Sequence, residues 1–152
     1  MTAEVIKNLS EHFSLAEMCK TSANLDNVPN EAQVENLKRL CGWLEMLRSE
    51  WNKRYGEGND PIIINSGFRS EAVNKAVGGV KGSNHLSGCA ADIRVAGIEK
   101  LVRYATILLD ISDESQEDFD ELLLERSPKG NYWLHFAVRP SGNRRKVRLI
   151  QT

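Results

Sequence analysis

His85, Asp92 and His135 are the side chains of this 152-residue sequence that could together hold a divalent metal ion. They lie in two short stretches, Ser83-Asn84-His85-Leu86-Ser87-Gly88-Cys89-Ala90-Ala91-Asp92 and Trp133-Leu134-His135, which contain two of the chain's three histidines. Neutral imidazole and carboxylate suit a catalytic zinc ion, and three protein ligands leave a fourth position open for water. Hydrolysis is the chemistry such a site serves, because the ion polarises a carbonyl and lowers the pKa of water to about 7. Gly88 allows a turn between the first two candidates, and Ala90 and Ala91 keep bulk away from the metal. Spacing alone leaves ordinary surface or hydrogen-bonded core histidines as the alternative. His85 and Asp92 are not spaced as a helical pair, and His135 is over forty residues further on.

Elements of both kinds must position these residues. Ser14-Leu15-Ala16-Glu17 is a capping box that predicts a short helix. Asn30 is a candidate cap for a longer helix from about Glu31 to Tyr55, whose apolar stripe is Val34, Leu37, Leu40, Leu44, Leu47 and Trp51. Pro61 to Ser66 predicts a buried strand, and Ser70 to Val77 one or two helical turns. The loop 80–88 carries Ser83 and His85, and Cys89 to Val95 predicts a strand with Asp92, Ala90 and Arg94 on one face. Ile98 to Leu109 predicts an amphipathic helix, followed by an acidic stretch, Asp110 to Asp118, read as a solvated loop. Phe119 to Arg126, Tyr132 to Arg139 and Lys146 to Gln151 predict three strands in an antiparallel meander. The expectation is an α+β fold with helices packed on an antiparallel sheet, in a single domain over residues 1–152.

Composition sets the class. The chain is 41% hydrophobic and 27% charged with a formal net charge of −1, a balance with no global drive toward nucleic acid or an anionic membrane. No apolar run reaches the length of a membrane span. Met1 to Lys7 shows no basic region followed by an apolar stretch, so no signal peptide is expected. Cys19, Cys41 and Cys89 are odd in number and lack a Cys-x-x-Cys pair, which argues against a disulfide framework and a thiolate zinc site. Synthesis in the reducing cytoplasm is the expectation.

The ten-residue stretch from Ser83 to Asp92 resembles the Ser-x-His-x-x-Gly-x-Ala-x-Asp signature of the zinc D-Ala-D-Ala peptidases. Ser66-Gly67-Phe68-Arg69-Ser70 is similar to the family's Ser-Gly-Tyr-Arg-Ser, and Val73 to Gly79 to the segment that follows it. Trp133-Leu134-His135-Phe136-Ala137 resembles the Trp-Val-His block near the family's C-terminus. Phe13 to Met18 and Asp26 to Pro29 are similar to the opening of its small, single-domain, phage-type branch. The resemblance implies a hedgehog/DD-peptidase-like fold and one Zn2+ held by His85, Asp92 and His135. It implies a peptidoglycan peptide as substrate, cut by D-Ala-D-Ala carboxypeptidase or endopeptidase action. An L-alanyl-D-glutamate endolysin-type peptidase and a non-catalytic, zinc-bearing cell-wall-binding module are the alternatives. Action on the wall, with no visible leader, implies release or dedicated export.

The same resemblance assigns Arg69 to substrate binding and to steadying a developing oxyanion, work that suits a permanently charged, forked guanidinium. Ser83 is implied either to bind substrate or to support the loop that carries His85. Several branches place an acidic general base three residues before the last histidine ligand, where this chain has Tyr132. Glu125 resembles the glutamate ending the matching strand in the small branch and is the preferred base, with Glu121 and Asp120 as rivals. Trp133 and Phe136 are expected to form wall and core, His12 to pack or hydrogen-bond near the first helix, and Cys89 to fill space. The basic residues Arg139, Arg144, Arg145, Lys146 and Arg148 are read first as guards on an edge strand.

Overall fold

Ser14 and Asn30 begin the first two helices as their side chains predict. The computed structural model describes residues 7–152, so residues 1–6, most of the stretch read for an export signal, lie outside it. Ser14 accepts a hydrogen bond from the Glu17 N–H and caps the one-turn helix α1, Leu15–Met18. Asn30 and Gln33 cap α2, Glu31–Arg54, reciprocally, each side chain bonded to the other's backbone N–H. The predicted stripe from Val34 to Trp51 is buried along α2, joined by Cys41 and Trp43. Ser70 caps α3, Glu71–Ala76.

Helix α4 spans Ile98–Ser115 and runs on through two thirds of the stretch expected to be a loop. Ile111 lies three residues after Leu108 and four after Ile107, so it prolongs their buried stripe by another turn. The acidic residues sit on the outer side of that turn. Asp110 meets Arg54 at 2.8 Å and Asp113 meets Arg145 at 2.8 Å, and Gln116 ends the helix in a left-handed conformation. Among the described residues, no helix is long and apolar enough to cross a membrane.

The strands are β1 (Ile64–Ser66), β2 (Ala90–Arg94), β3 (Glu121–Arg126), β4 (Tyr132–Ala137) and β5 (Lys146–Gln151). They form one sheet in the order β1-β2-β4-β3-β5. All neighbours are antiparallel except β3 and β5, which run parallel, so the last three strands are not a simple meander. The reason lies in where β4 ends. Ala137 finishes β4 beside Glu121 at the start of β3, and the return loop crosses over that start to reach its open edge. Asp120 and Phe119 secure the landing: the N–H groups of Arg145 and Lys146 donate to their carbonyls.

Register gives the sheet two different faces. Ala91, Ile93, Leu122, Leu134 and Phe136 join the residues of α2 and α4 in the hydrophobic core, where Trp43 packs on Phe119 and Phe136. The alternate residues stand on the opposite face. The architecture is α+β, with helices covering one side of a five-stranded sheet and polar side chains gathered on the other.

Between α3 and β2 a single 3-10 turn, Asn84–Ser87, brings His85 to that polar face. Gly88 closes the turn at φ +77°, and a Cβ there would sit 2.6 Å from the Gln33 carbonyl oxygen of α2. Gly88→Ala combines a left-handed backbone with a clash against a helix, and is expected to cost about 2–5 kcal/mol of stability. Denaturant unfolding measures this. A loss below about 0.5 kcal/mol, the size of a neutral surface change, contradicts the packing described.

Candidate metal centre

Asp92 on β2 pairs directly across from His135 on β4, and Leu123 on β3 flanks His135 from the other side. Side chains alternate along strands, so Asp92, His135, Trp133, Glu121, Leu123 and Glu125 share the polar face. His85 joins them from the 3-10 turn, which Ser83 anchors by accepting the His85 N–H at 3.1 Å. One nitrogen or oxygen from each of His85, Asp92 and His135 comes within 4.8 Å of the others. The three residues predicted from the sequence therefore converge.

Hydrogen bonds select the atoms. His85 Nδ1 lies 2.7 Å from the Gly67 carbonyl, which can only accept, so Nδ1 carries the proton and Nε2 turns inward. Gly67 fits there because it passes α1 closely: a Cβ would meet the Met18 carbonyl oxygen at 2.4 Å. Asp92 Oδ1 is 3.3 Å from His85 Nε2 and 3.1 Å from His135 Nδ1. Arg69 Nη2 donates to the other Asp92 oxygen at 3.1 Å, leaving Oδ1 as the free ligand atom.

The donor set fits a divalent cation. Burial opposes charge on Asp92, yet hydrogen bonds from His135 and His85 hold its carboxyl well below the ordinary range. Burial likewise opposes charge on His135, but Asp92 and Glu121 together raise it to about 9. The carboxylates thus draw positive charge into the cluster, and two imidazoles with one carboxylate make a zinc-type donor set.

Arg69 is tightly held. Nε donates to Ser66 Oγ at 3.0 Å and Nη1 to Asn74 Oδ1 at 3.2 Å, besides the bond to Asp92. A guanidinium has five N–H donors, so two remain, and Arg69 lines the cavity over the cluster. That cavity measures about 610 Å³ and is also lined by Ser83, Glu121, Glu125 and Trp133.

The three acids weighed as base differ sharply. Glu125 faces the cavity and accepts the Trp133 indole N–H at 3.0 Å; burial, reinforced by the Asp92 charge, pushes its pKa up. Glu121 is lowered to about 2, chiefly by its hydrogen bond with His135. Asp120 is fully buried beneath the cavity wall, and hydrogen bonds from Arg144 and Asn84 outweigh the effect of burial to lower it to about 2. Tyr132, an odd number of residues before His135, stands on the helix side and packs against the core.

Other residues take places that spacing did not reveal. Asn84 is buried and donates to both Asp120 and Glu121, at 2.8 and 2.7 Å. The basic cluster divides: Arg139 and Arg144 line the cavity and clamp Asp120 at 3.2 and 2.8 Å, while Lys146 and Arg148 lie on the edge strand β5. Charge alternation along the sequence could have marked the edge strand, but only the loop's fold reveals the clamp. His12 bonds Glu45 at 2.6 Å, Phe136 is core, and Cys89 is buried, which raises its thiol pKa.

The Peptidase M15 family matches residues 11–111, a span holding Arg69, Ser83, His85 and Asp92, and this chain belongs to that family. Over 40 residues it is 48% identical to the zinc D-Ala-D-Ala carboxypeptidase of Streptomyces albus G. The match covers 26% of this chain and 16% of that relative.

Proposed function

We propose that this protein is a zinc-dependent peptidase that hydrolyses peptide bonds in bacterial peptidoglycan stem peptides or cross-links, of the D-Ala-D-Ala carboxypeptidase or endopeptidase type. In this reading residues 1–152 work as one domain, and one Zn2+ is held by His85 Nε2, Asp92 Oδ1 and His135 Nδ1. The supporting observation is the approach of these ligand atoms within 4.8 Å on the wall of a cavity that Glu125 also lines. The name of the Streptomyces relative supports the substrate class.

When bound, the zinc ion supplies Lewis acidity toward water and the scissile carbonyl. Glu125 accepts the proton of the attacking water and delivers it to the leaving amine; its raised pKa and its Trp133 hydrogen bond suit both halves of that task. Arg69 directs its remaining N–H donors at the oxygen on which negative charge develops, held rigid by Ser66, Asn74 and Asp92. Ser83 uses its oxygen to fix the His85 turn and keeps its O–H for a substrate oxygen. Glu125, which lines the same cavity from β3, supports the catalytic reading over that of a non-catalytic binding module.

Defined muropeptides test the proposal: stems ending in D-Ala-D-Ala, cross-linked dimers and peptides with an intact L-Ala-D-Glu bond. Mass analysis is expected to show cleavage that stops with a chelator and returns with Zn2+. Zinc-loaded protein that leaves every one of them intact contradicts it, whereas cleavage confined to L-Ala-D-Glu moves the assignment to the endolysin-type reaction. Either bond lies in the cell wall, which is where the proposed reaction takes place.

A further inference from the structure

We infer that Glu121 is a positioning residue that grips His135 by Nε2, and that Asn84 holds Glu121 in place, so that Nδ1 is the nitrogen His135 turns to the metal. The inference rests on the zinc-peptidase reading and assigns a task to an acid that reading leaves unused.

A half-turn of an imidazole about its Cβ–Cγ bond puts Cδ2 where Nδ1 stood and Cε1 where Nε2 stood. What bonds the outer nitrogen therefore decides whether a nitrogen or a carbon faces inward. His135 Nε2 is 3.0 Å from Glu121 Oε1. A carboxylate only accepts, and one faces each nitrogen, so both carry a proton here; a cation at Asp92 would replace the proton on Nδ1 and leave the one on Nε2 with Glu121. Nδ1 is also the nitrogen beside Asp92 Oδ1, the same oxygen that His85 Nε2 approaches. Turning the ring over would break the bond to Glu121 and move Nδ1 away from the cluster.

Glu121 is not free to turn either. Asn84 Nδ2 spends its two hydrogens on Glu121 Oε1 and Asp120 Oδ2, and Asn84 Oδ1 accepts from Arg139 Nε at 2.9 Å. Two carboxylates on one end and a guanidinium on the other leave the Asn84 amide a single orientation. Arg144 reaches the second Glu121 oxygen at 3.7 Å. Asn84 is the immediate neighbour of His85 on the 3-10 turn. One turn therefore sets two ligands, His85 directly and His135 through Glu121. His85 leans on a neutral carbonyl, whereas His135 leans on a carboxylate that makes it the more basic ligand. The same bond disqualifies Glu121 as the general base.

Zinc affinity, measured by competition with a chromophoric chelator, separates the roles. Glu121→Ala is expected to weaken Zn2+ binding about 10–100-fold. Glu121→Gln keeps an acceptor for the Nε2–H and is expected to restore most of that loss. In zinc-loaded wild type, NMR correlation of the exchangeable imidazole proton is expected to place it on His135 Nε2, a readout that needs no variant to fold. Wild-type affinity in Glu121→Ala, or a proton found on Nδ1, overturns the inference. A wild-type chain that binds no zinc overturns the underlying reading instead, so the two failures are distinct.

Discussion

Replacing His85 by alanine is expected to remove stoichiometric zinc and reduce peptide hydrolysis to background, while leaving the fold standing. The affinity loss should exceed the roughly 10–100-fold that an outer partner such as Glu121 costs, because a ligand itself is gone. The turn that carries His85 does not depend on the imidazole. Gln33 and Asn36 of α2 donate to the carbonyls of Leu86 and Ser87 at 3.1 and 2.9 Å, and Asn84 is anchored separately. Thermal unfolding with and without Zn2+ reads the effect directly. Wild type gains a higher midpoint from a ligand that binds only the folded state, and the variant should gain none. A His85→Ala protein with full zinc and full activity removes His85 from the site.

The second large effect falls on turnover alone. Glu125→Gln preserves shape and leaves an oxygen to accept the Trp133 indole N–H, but it can no longer take a proton. We expect kcat to fall about 10²–10⁴-fold, the usual contribution of a general base, with zinc content unchanged. The pH profile supplies a second readout. Glu125 works as the carboxylate, so wild-type activity should rise as pH climbs through its pKa. That pKa is raised above the ordinary glutamate value by burial and by Asp92, which shifts the limb toward neutral pH. The limb should vanish in the glutamine variant. Unchanged kcat with the limb intact would pass the role to another group.

The helical half of the fold was legible because its signals are local. Ser14, Asn30 and Ser70 cap as their side chains dictate, and the stripe along α2 is buried as its spacing requires. Two errors came from treating charge as a boundary or sequence order as topology. The acidic residues after Leu109 ride the outside of a helix whose inner side Ile111 continues. The loop between β4 and β5 carries the chain over β3, which no turn residue announces.

The site divides in the same way. His85, Asp92, His135 and Arg69 were visible through their types and through the resemblance of the stretches that hold them. Register brought out the difference between Glu121 and Glu125, which share one face of β3 but meet His135 and Trp133 respectively. Asn84 and Arg144 are ordinary residues in the sequence. Their work appears only when the turn before β2 and the loop before β5 close on Asp120.

Diffraction from zinc-loaded crystals, recorded on both sides of the zinc absorption edge, tests the central claim most directly. The expected result is one anomalous peak about 2.0–2.2 Å from each of His85 Nε2, Asp92 Oδ1 and His135 Nδ1. A peak elsewhere, or none in crystals shown to contain zinc, contradicts the metal centre described.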